Sequence, residues 1–178
     1  MNITLCGMMG CGKTTVGMEL ARVLKKDWCD TDAMIEEKHG KISEIFRCQG
    51  EAVFRDIETE TAALLSMQSD KVISVGGGFI LRLVNVELLK KNGKIVYLRA
   101  KKETLETRLK EDKKRPLLHT GGENLSQRID RLLQERSLAY VQAADLVVDV
   151  DDKTPQEIAA EIIDKMGVEC KMKGAGTR

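Results

Sequence analysis

The sequence predicts an α/β protein built on a mainly parallel sheet. Short β-type runs alternate with stretches of helical period along the whole chain. The strand candidates are continuous apolar runs rather than alternating ones, as expected where both faces of a sheet are covered. The chain has 178 residues, enough for one domain with a sizeable core and rather short for two.

The elements follow in order. NITLC (2–6) is the first strand, and KTTVGMELARVLKK (13–26) is a helix with Val16, Leu20, Val23 and Leu24 on one side. WCD (28–30) is a short strand, followed by two short helices around 32–39 and 42–48 and a long one over 51–68. In that long helix Val53, Phe54, Ile57, Leu64 and Leu65 make the face expected to be buried. KVISV (71–75) and KIVYLRA (94–100) are strands, with helices near 83–91 and 101–111. KKRPLLHTGGE (113–123) has the chemistry of a mobile loop, with proline, two glycines and three adjacent cations. A helix over 124–143, the strand LVVDV (146–150) and a helix from Thr154 to Met166 complete the series. The tail KMKGAGTR is expected to fray. No internal repeat or linker divides the chain.

Composition excludes several classes. Basic residues number 29 and acidic ones 28, a formal net charge of +1, so no whole-molecule field draws the protein to nucleic acid or anionic membrane. Aromatic residues make up 3%, too few for a base-stacking platform. No apolar run reaches the length of a membrane span, and no secretory leader is expected, because MNITLCGMMG lacks a basic segment and breaks at glycine. The five cysteines (Cys6, Cys11, Cys29, Cys48 and Cys170) form no CxxC pair and lie far from His39 and His119. That argues against zinc and for reduced thiols in a cytoplasm. Cys6, Cys29 and Cys48 are read as small buried hydrophobes.

GMMGCGKT, residues 7–14, fits G-x-x-x-x-G-K-[ST], with a strand before it and a helix after it. Phosphate oxygens need several backbone N–H groups at once, and glycines let the loop curl and approach closely. The helix N-terminus adds partial positive charge. Lys13 can reach the β and γ phosphates, and the Thr14 hydroxyl can hold Mg²⁺. The chain is therefore expected to bind a nucleoside triphosphate.

Several residues bear on a second substrate. DTD (30–32) leaves the second strand at its carboxyl end, where open α/β sheets bind ligands. Asp32 can serve a substrate hydroxyl or cap the next helix. Arg55 and Glu58 share one side of a helix, as a functional pair or a surface ion pair. Arg136 lies on the apolar stripe of Leu125, Ile129, Leu132, Leu133 and Tyr140, where a cation must snorkel or meet an anion. Two arginines suit a carboxylate. VISVGGG (72–78) ends a strand in three glycines, which suggests backbone close to a ligand, and no aspartate closes that strand. Asp30 is the available acid for metal support. Arg115, in the lid candidate, can bring charge to a transferring phosphoryl group on closure.

Together these pieces resemble the shikimate kinases. The likeness runs from GMMGCGKTTVG through DTD, ISEIFRCQGEAVFRDIE, VISVGGG, RPLL and QERSLAY to about residue 166. The order of D-T-D, F-R-x-x-E, G-G-G and R-P-L-L is more specific than the phosphate loop, which many families share. The resemblance implies a P-loop NTPase fold of the nucleoside monophosphate kinase type, a five-stranded parallel sheet flanked by helices. It implies transfer of the γ-phosphate of ATP to the 3-hydroxyl of shikimate, on the route to chorismate. Asp32 would contact the substrate hydroxyls and orient or deprotonate the nucleophile. Arg55, Arg136, Gly76, Gly77 and Gly78 would hold shikimate, with Phe46 and Phe54 walling its pocket and Glu58 fixing Arg55. Gly10, Cys11, Gly12, Lys13, Thr14 and Thr15 would cradle ATP, with Arg108 and Pro155 packing adenine. Lys13 and Arg115 would steady the phosphoryl group. Thr14 would bind Mg²⁺ directly, with Asp30 behind its waters. Cys11 stands where a small residue is usual, and a thiol reagent is expected to find it.

The expected organisation is one P-loop kinase domain over 1–168, with an acceptor-binding segment about 31–60, a lid about 111–123 and a disordered tail over 169–178. A cytoplasmic monomer is expected, with shikimate and ATP as partners and no nucleic acid or membrane. Two other readings stand beside this one: a different small-molecule P-loop kinase, for gluconate or a nucleotide, and a nucleotide-binding module without transfer activity.

Overall fold

The computed structural model describes residues 1–111 and 124–168. Its strands are β1 (Asn2–Cys6), β2 (Asp27–Asp30), β3 (Lys71–Ser74), β4 (Gly93–Arg99) and β5 (Leu146–Asp149). They form one sheet in the order β2-β3-β1-β4-β5, and every pairing is parallel. Thr4 of β1 stands opposite Ile73 on one side and Ile95 on the other. All of β1 is buried, as an apolar run at the centre of a doubly covered sheet should be.

The helices are α1 (Lys13–Leu24), α2 (Thr31–His39), α3 (Ile42–Ser66), α4 (Leu83–Lys90), α5 (Lys102–Glu111), α6 (Leu125–Ala143) and α7 (Pro155–Met166). Helix α1 packs on α7 and β3, α4 on α3 and β4, and α6 on β4 and α5. Capping sets several starts. The Thr154 hydroxyl accepts from the Glu157 amide while the Glu157 carboxylate accepts from the Thr154 amide, and Pro155 follows at the first helical position. Asn124 and Gln127 form the same reciprocal pair ahead of α6.

Helix α3 runs through both helices expected at 42–48 and 51–68, but its backbone leaves helical geometry at Gly50 (φ 85°, ψ 172°). That left-handed φ suits glycine, so the expected break survives as a kink. A 3₁₀ turn at Phe79–Leu81 before α4 was not anticipated. Leu64, expected on the buried face of α3, is 43% exposed, while Leu65 is fully buried. The cysteine reading holds for Cys6 alone. Cys29 is half-buried and Cys48 exposed.

The core has two parts. The larger contains the sheet and the inner faces of α1, α4, α6 and α7. A separate cluster of Ile35, Ile45, Phe54 and Ile57 joins α2 to α3 on both sides of the Gly50 kink.

Candidate active site

The carboxyl ends of β1, β2 and β3 open on a cleft of about 540 Å³. The loop after β1 forms one wall. Gly12 takes φ 99° at the N-cap of α1, a conformation that side-chain-bearing residues resist. The Lys13 ammonium donates to the carbonyls of Gly7 (2.9 Å) and Met8 (3.0 Å). Gly10, Cys11, Gly12, Lys13, Thr14 and Thr15 all line the cleft, with Arg108 and Pro155. Arg108 donates to the Cys11 carbonyl at 3.2 Å and the Val150 carbonyl at 3.4 Å, bracing the loop against the end of the sheet. Cys11 is fully buried, so in this arrangement a thiol reagent does not reach it. Burial pushes the Cys6 thiol up to about 12.

Asp30 caps α2, accepting through Oδ1 from the amides of Asp32 (3.0 Å) and Ala33 (3.3 Å). Its Oδ2 lies 3.5 Å from the Thr14 hydroxyl. The capping role considered for Asp32 thus belongs to Asp30. Asp32 itself faces the cleft.

The triple glycine meets the charged groups one by one. A Cβ on Gly76 would lie 2.5 Å from Asp32 Oδ1, one on Gly77 3.4 Å from Arg136 Nη1, and one on Gly78 2.5 Å from Arg55 Nη1. Gly76, Gly77 and Arg136 line the cleft. Gly78, Arg55, Glu58, Phe46 and Phe54 are not among its lining residues. Arg55 donates to Glu58 and Glu51, both at 2.8 Å. Glu58 is 1% exposed, so the pair is not a surface pair. Burial pushes the Glu58 carboxyl above its ordinary range, against the pull of Arg55 and with a push from Asp32. Phe54 is buried, Phe46 is exposed, and their ring centroids are 4.8 Å apart. Arg115 and the expected lid lie outside the described residues.

Sequence reasoning missed Met9, Leu109, Lys153 and Ile158, which also line the cleft. Lys153 donates to the Asp149 carbonyl (2.9 Å) and to Glu161 (2.6 Å).

Comparison with known proteins gives a consistent answer. The profile of the family described as shikimate kinase matches residues 9–167. A shikimate kinase of Thermodesulfovibrio yellowstonii is 45% identical, over 91% of this chain and 92% of its own. Among solved structures, a shikimate kinase from Acinetobacter baumannii in complex with shikimate has a TM-score of 0.85 at 37% identity, covering 93% of this chain and 92% of that one. The shikimate kinase of Aquifex aeolicus has a TM-score of 0.79 at 34% identity, covering 94% of this chain and 96% of that one. The chain belongs to the shikimate kinase family, whose members are ATP-dependent phosphotransferases.

Proposed function

We infer that the chain transfers the γ-phosphate of ATP to the 3-hydroxyl of shikimate, giving shikimate 3-phosphate and ADP. One observation carries the reading. A phosphate-binding loop with Lys13 shares its cleft with Asp32 and Arg136, each set against one glycine of the triple. The acceptor that suits this wall has hydroxyls for the aspartate and a carboxylate for the arginine. Shikimate has both, and the A. baumannii relative was solved with it bound.

In this reading Asp32 takes the proton of the 3-hydroxyl as that oxygen bonds to the γ-phosphorus. The bond from the γ-phosphorus to the β–γ bridging oxygen breaks, and ADP leaves with the electron pair. Lys13 stabilises charge on the transferring group, where a fixed cation acts most strongly. Arg115, outside the described residues, is assigned the same task by resemblance. Arg55 and Arg136 hold the carboxylate, Glu58 fixes Arg55, and Phe46 and Phe54 wall the acceptor. Gly10, Cys11, Gly12 and Thr15 cradle the phosphates, with Arg108 and Pro155 beside the adenine. The Thr14 hydroxyl and Asp30 carboxylate, 3.5 Å apart, are oxygen donors of the kind Mg²⁺ prefers. Bound there, the ion would neutralise phosphate charge.

We further propose one kinase domain over 1–168 with its acceptor segment about 31–60, acting as a cytoplasmic monomer without nucleic-acid or membrane partners. Among the described residues no helix is long and apolar enough to cross a membrane. The lid about 111–123 and the tail 169–178 fall almost wholly outside the described residues.

The test is a coupled ATP-turnover assay with Mg²⁺, comparing no acceptor, shikimate, gluconate and AMP. ADP release only with shikimate is expected. Turnover with gluconate or AMP instead overturns the acceptor assignment. ATP binding without turnover on any acceptor makes the chain a nucleotide-binding module.

A further inference from the structure

Tyr140 stands one helical turn beyond Arg136 on α6. Its side chain is fully buried, and a buried phenol needs a hydrogen-bond partner. It finds partners at the acceptor wall. The hydroxyl donates to the Gly77 carbonyl at 2.5 Å and lies 3.8 Å from Met8 Sδ at the root of the phosphate loop. The Arg136 guanidinium lies beside the same hydroxyl, over the same glycine. A Cβ on Gly77 would stand 3.4 Å from Arg136 Nη1 and 3.6 Å from the Tyr140 oxygen. Three segments thus meet at one hydroxyl: α6, the glycine stretch after β3 and the loop after β1.

The ring is held as firmly as the hydroxyl. It stacks on Tyr97 of β4 with centroids 5.1 Å apart and planes 23° from parallel. Burial pushes the Tyr140 phenol above its ordinary range despite the nearby Arg136 charge, so the proton stays on the oxygen. With that proton committed to Gly77, the lone pairs remain for the guanidinium. An arginine side chain has many rotamers, and a fixed acceptor beside its fork removes freedom that ligand binding would otherwise have to remove.

We propose that Tyr140 is a positioning residue for the acceptor's carboxylate: its hydroxyl fixes the Arg136 guanidinium against the Gly77 backbone. The proposal rests on the shikimate reading above and adds to it a residue that does not touch the substrate. It acts before chemistry, on how the acceptor is met.

The experiment uses the full chain and four proteins: wild type, Tyr140→Phe, Arg136→Lys and the double variant, with Tyr97→Phe as a control. Shikimate KM, ATP KM, kcat and Tm are measured for each. Loss of the hydroxyl that positions the charged guanidinium should raise shikimate KM about tenfold in Tyr140→Phe. ATP KM and the Tyr97→Phe control should stay within about twofold of wild type, because neither reports on Arg136. Arg136→Lys should cost less shikimate affinity in the Tyr140→Phe background than in wild type, since two residues acting as a unit do not add. A folded Tyr140→Phe enzyme with wild-type shikimate KM overturns the proposal. So does a lowered Tm with unchanged KM, which would make the contact one of packing alone, and so do strictly additive losses. Should Tyr140→Phe not fold, Tyr140→Met, whose flexible chain fills irregular space, reads the same loss of hydroxyl. A wild-type enzyme inactive on shikimate overturns the substrate reading first, and the control arm separates the two failures.

Discussion

A methyl group on Gly78 would press on the Arg55 guanidinium, 2.5 Å from Nη1 and 2.8 Å from Nη2. The flexible side chain is what gives way, and Arg55 would swing from its place between Glu51 and Glu58. Gly78→Ala should therefore fold and raise shikimate KM about tenfold by loosening a charged hydrogen bond, with ATP KM unchanged. Steady-state kinetics checks this, and equal losses for both substrates would refute it. Glu58 offers a second reading at this scale. Its folded carboxyl is raised above the ordinary 4.5, so the folded chain holds that proton to higher pH than the unfolded chain. The contribution to stability is full below the ordinary value and declines as pH rises through the raised one. Glu58→Gln should flatten the fall in Tm from pH 4.5 upward, which melting curves across that window would show. None of this was legible from the i, i+3 spacing of Arg55 and Glu58. Spacing puts two residues on one side of a helix, and only the tertiary fold says that Glu58 lies under cover.

Among elements, β2 joins the loop wall through its tryptophan. Trp28 donates from Nε1 to the Ser74 hydroxyl at 3.1 Å, and Ser74 donates to the Lys13 carbonyl at 3.1 Å. Gly17 of α1 makes room, since a Cβ there would lie 2.7 Å from Trp28 Nε1 and 2.8 Å from the Ser74 oxygen. Three elements are tied at the residue that begins α1. Ser74→Ala leaves one donor and one acceptor without these partners, a cost of roughly 1–3 kcal/mol, or a Tm lower by about 2–10 °C. Trp28 is the single tryptophan of the chain, so the melt can be followed by its fluorescence. An unchanged Tm would mean that water replaces the hydroxyl at no cost. The strands and most helices could be read from local pattern because apolar period and caps are local signals. Asp30 and Asp32 could not be told apart as caps, since either oxygen would serve if the helix began two residues later. Gly50 was legible as a break because a left-handed φ has a residue signature. The 3₁₀ turn at Phe79–Leu81 has none, being apolar throughout.

Across the whole molecule, the sheet and the acceptor segment are stabilised by different cores. The sheet is embedded in the large cluster that contains Ile3, Ile73 and Ile95. The stretch from α2 to the middle of α3 buries Ile35, Ile45, Phe54 and Ile57 against each other. Gly40 (φ 84°) and Gly50 (φ 85°) interrupt the backbone on either side of Ile45. A segment with so small a core should open locally at a lower free energy than the sheet, which opens only on global unfolding. Yet Arg55 and Asp32 are carried on this segment, while Gly76 and Gly78, which they meet, belong to the loop after β3. An acceptor bridging the two would hold the segment closed, because a ligand stabilises the state it binds. Native-state hydrogen exchange should show Ile45 less protected than Ile3 or Ile95 by about two orders of magnitude. Saturating shikimate should narrow that gap, and ATP alone should narrow it less. If Ile45 exchanges only with global unfolding, the two clusters are one cooperative unit and the acceptor wall is rigid. If it opens early and shikimate leaves it unchanged, the acceptor does not span Arg55 and the glycines, and the carboxylate is held by Arg136 alone.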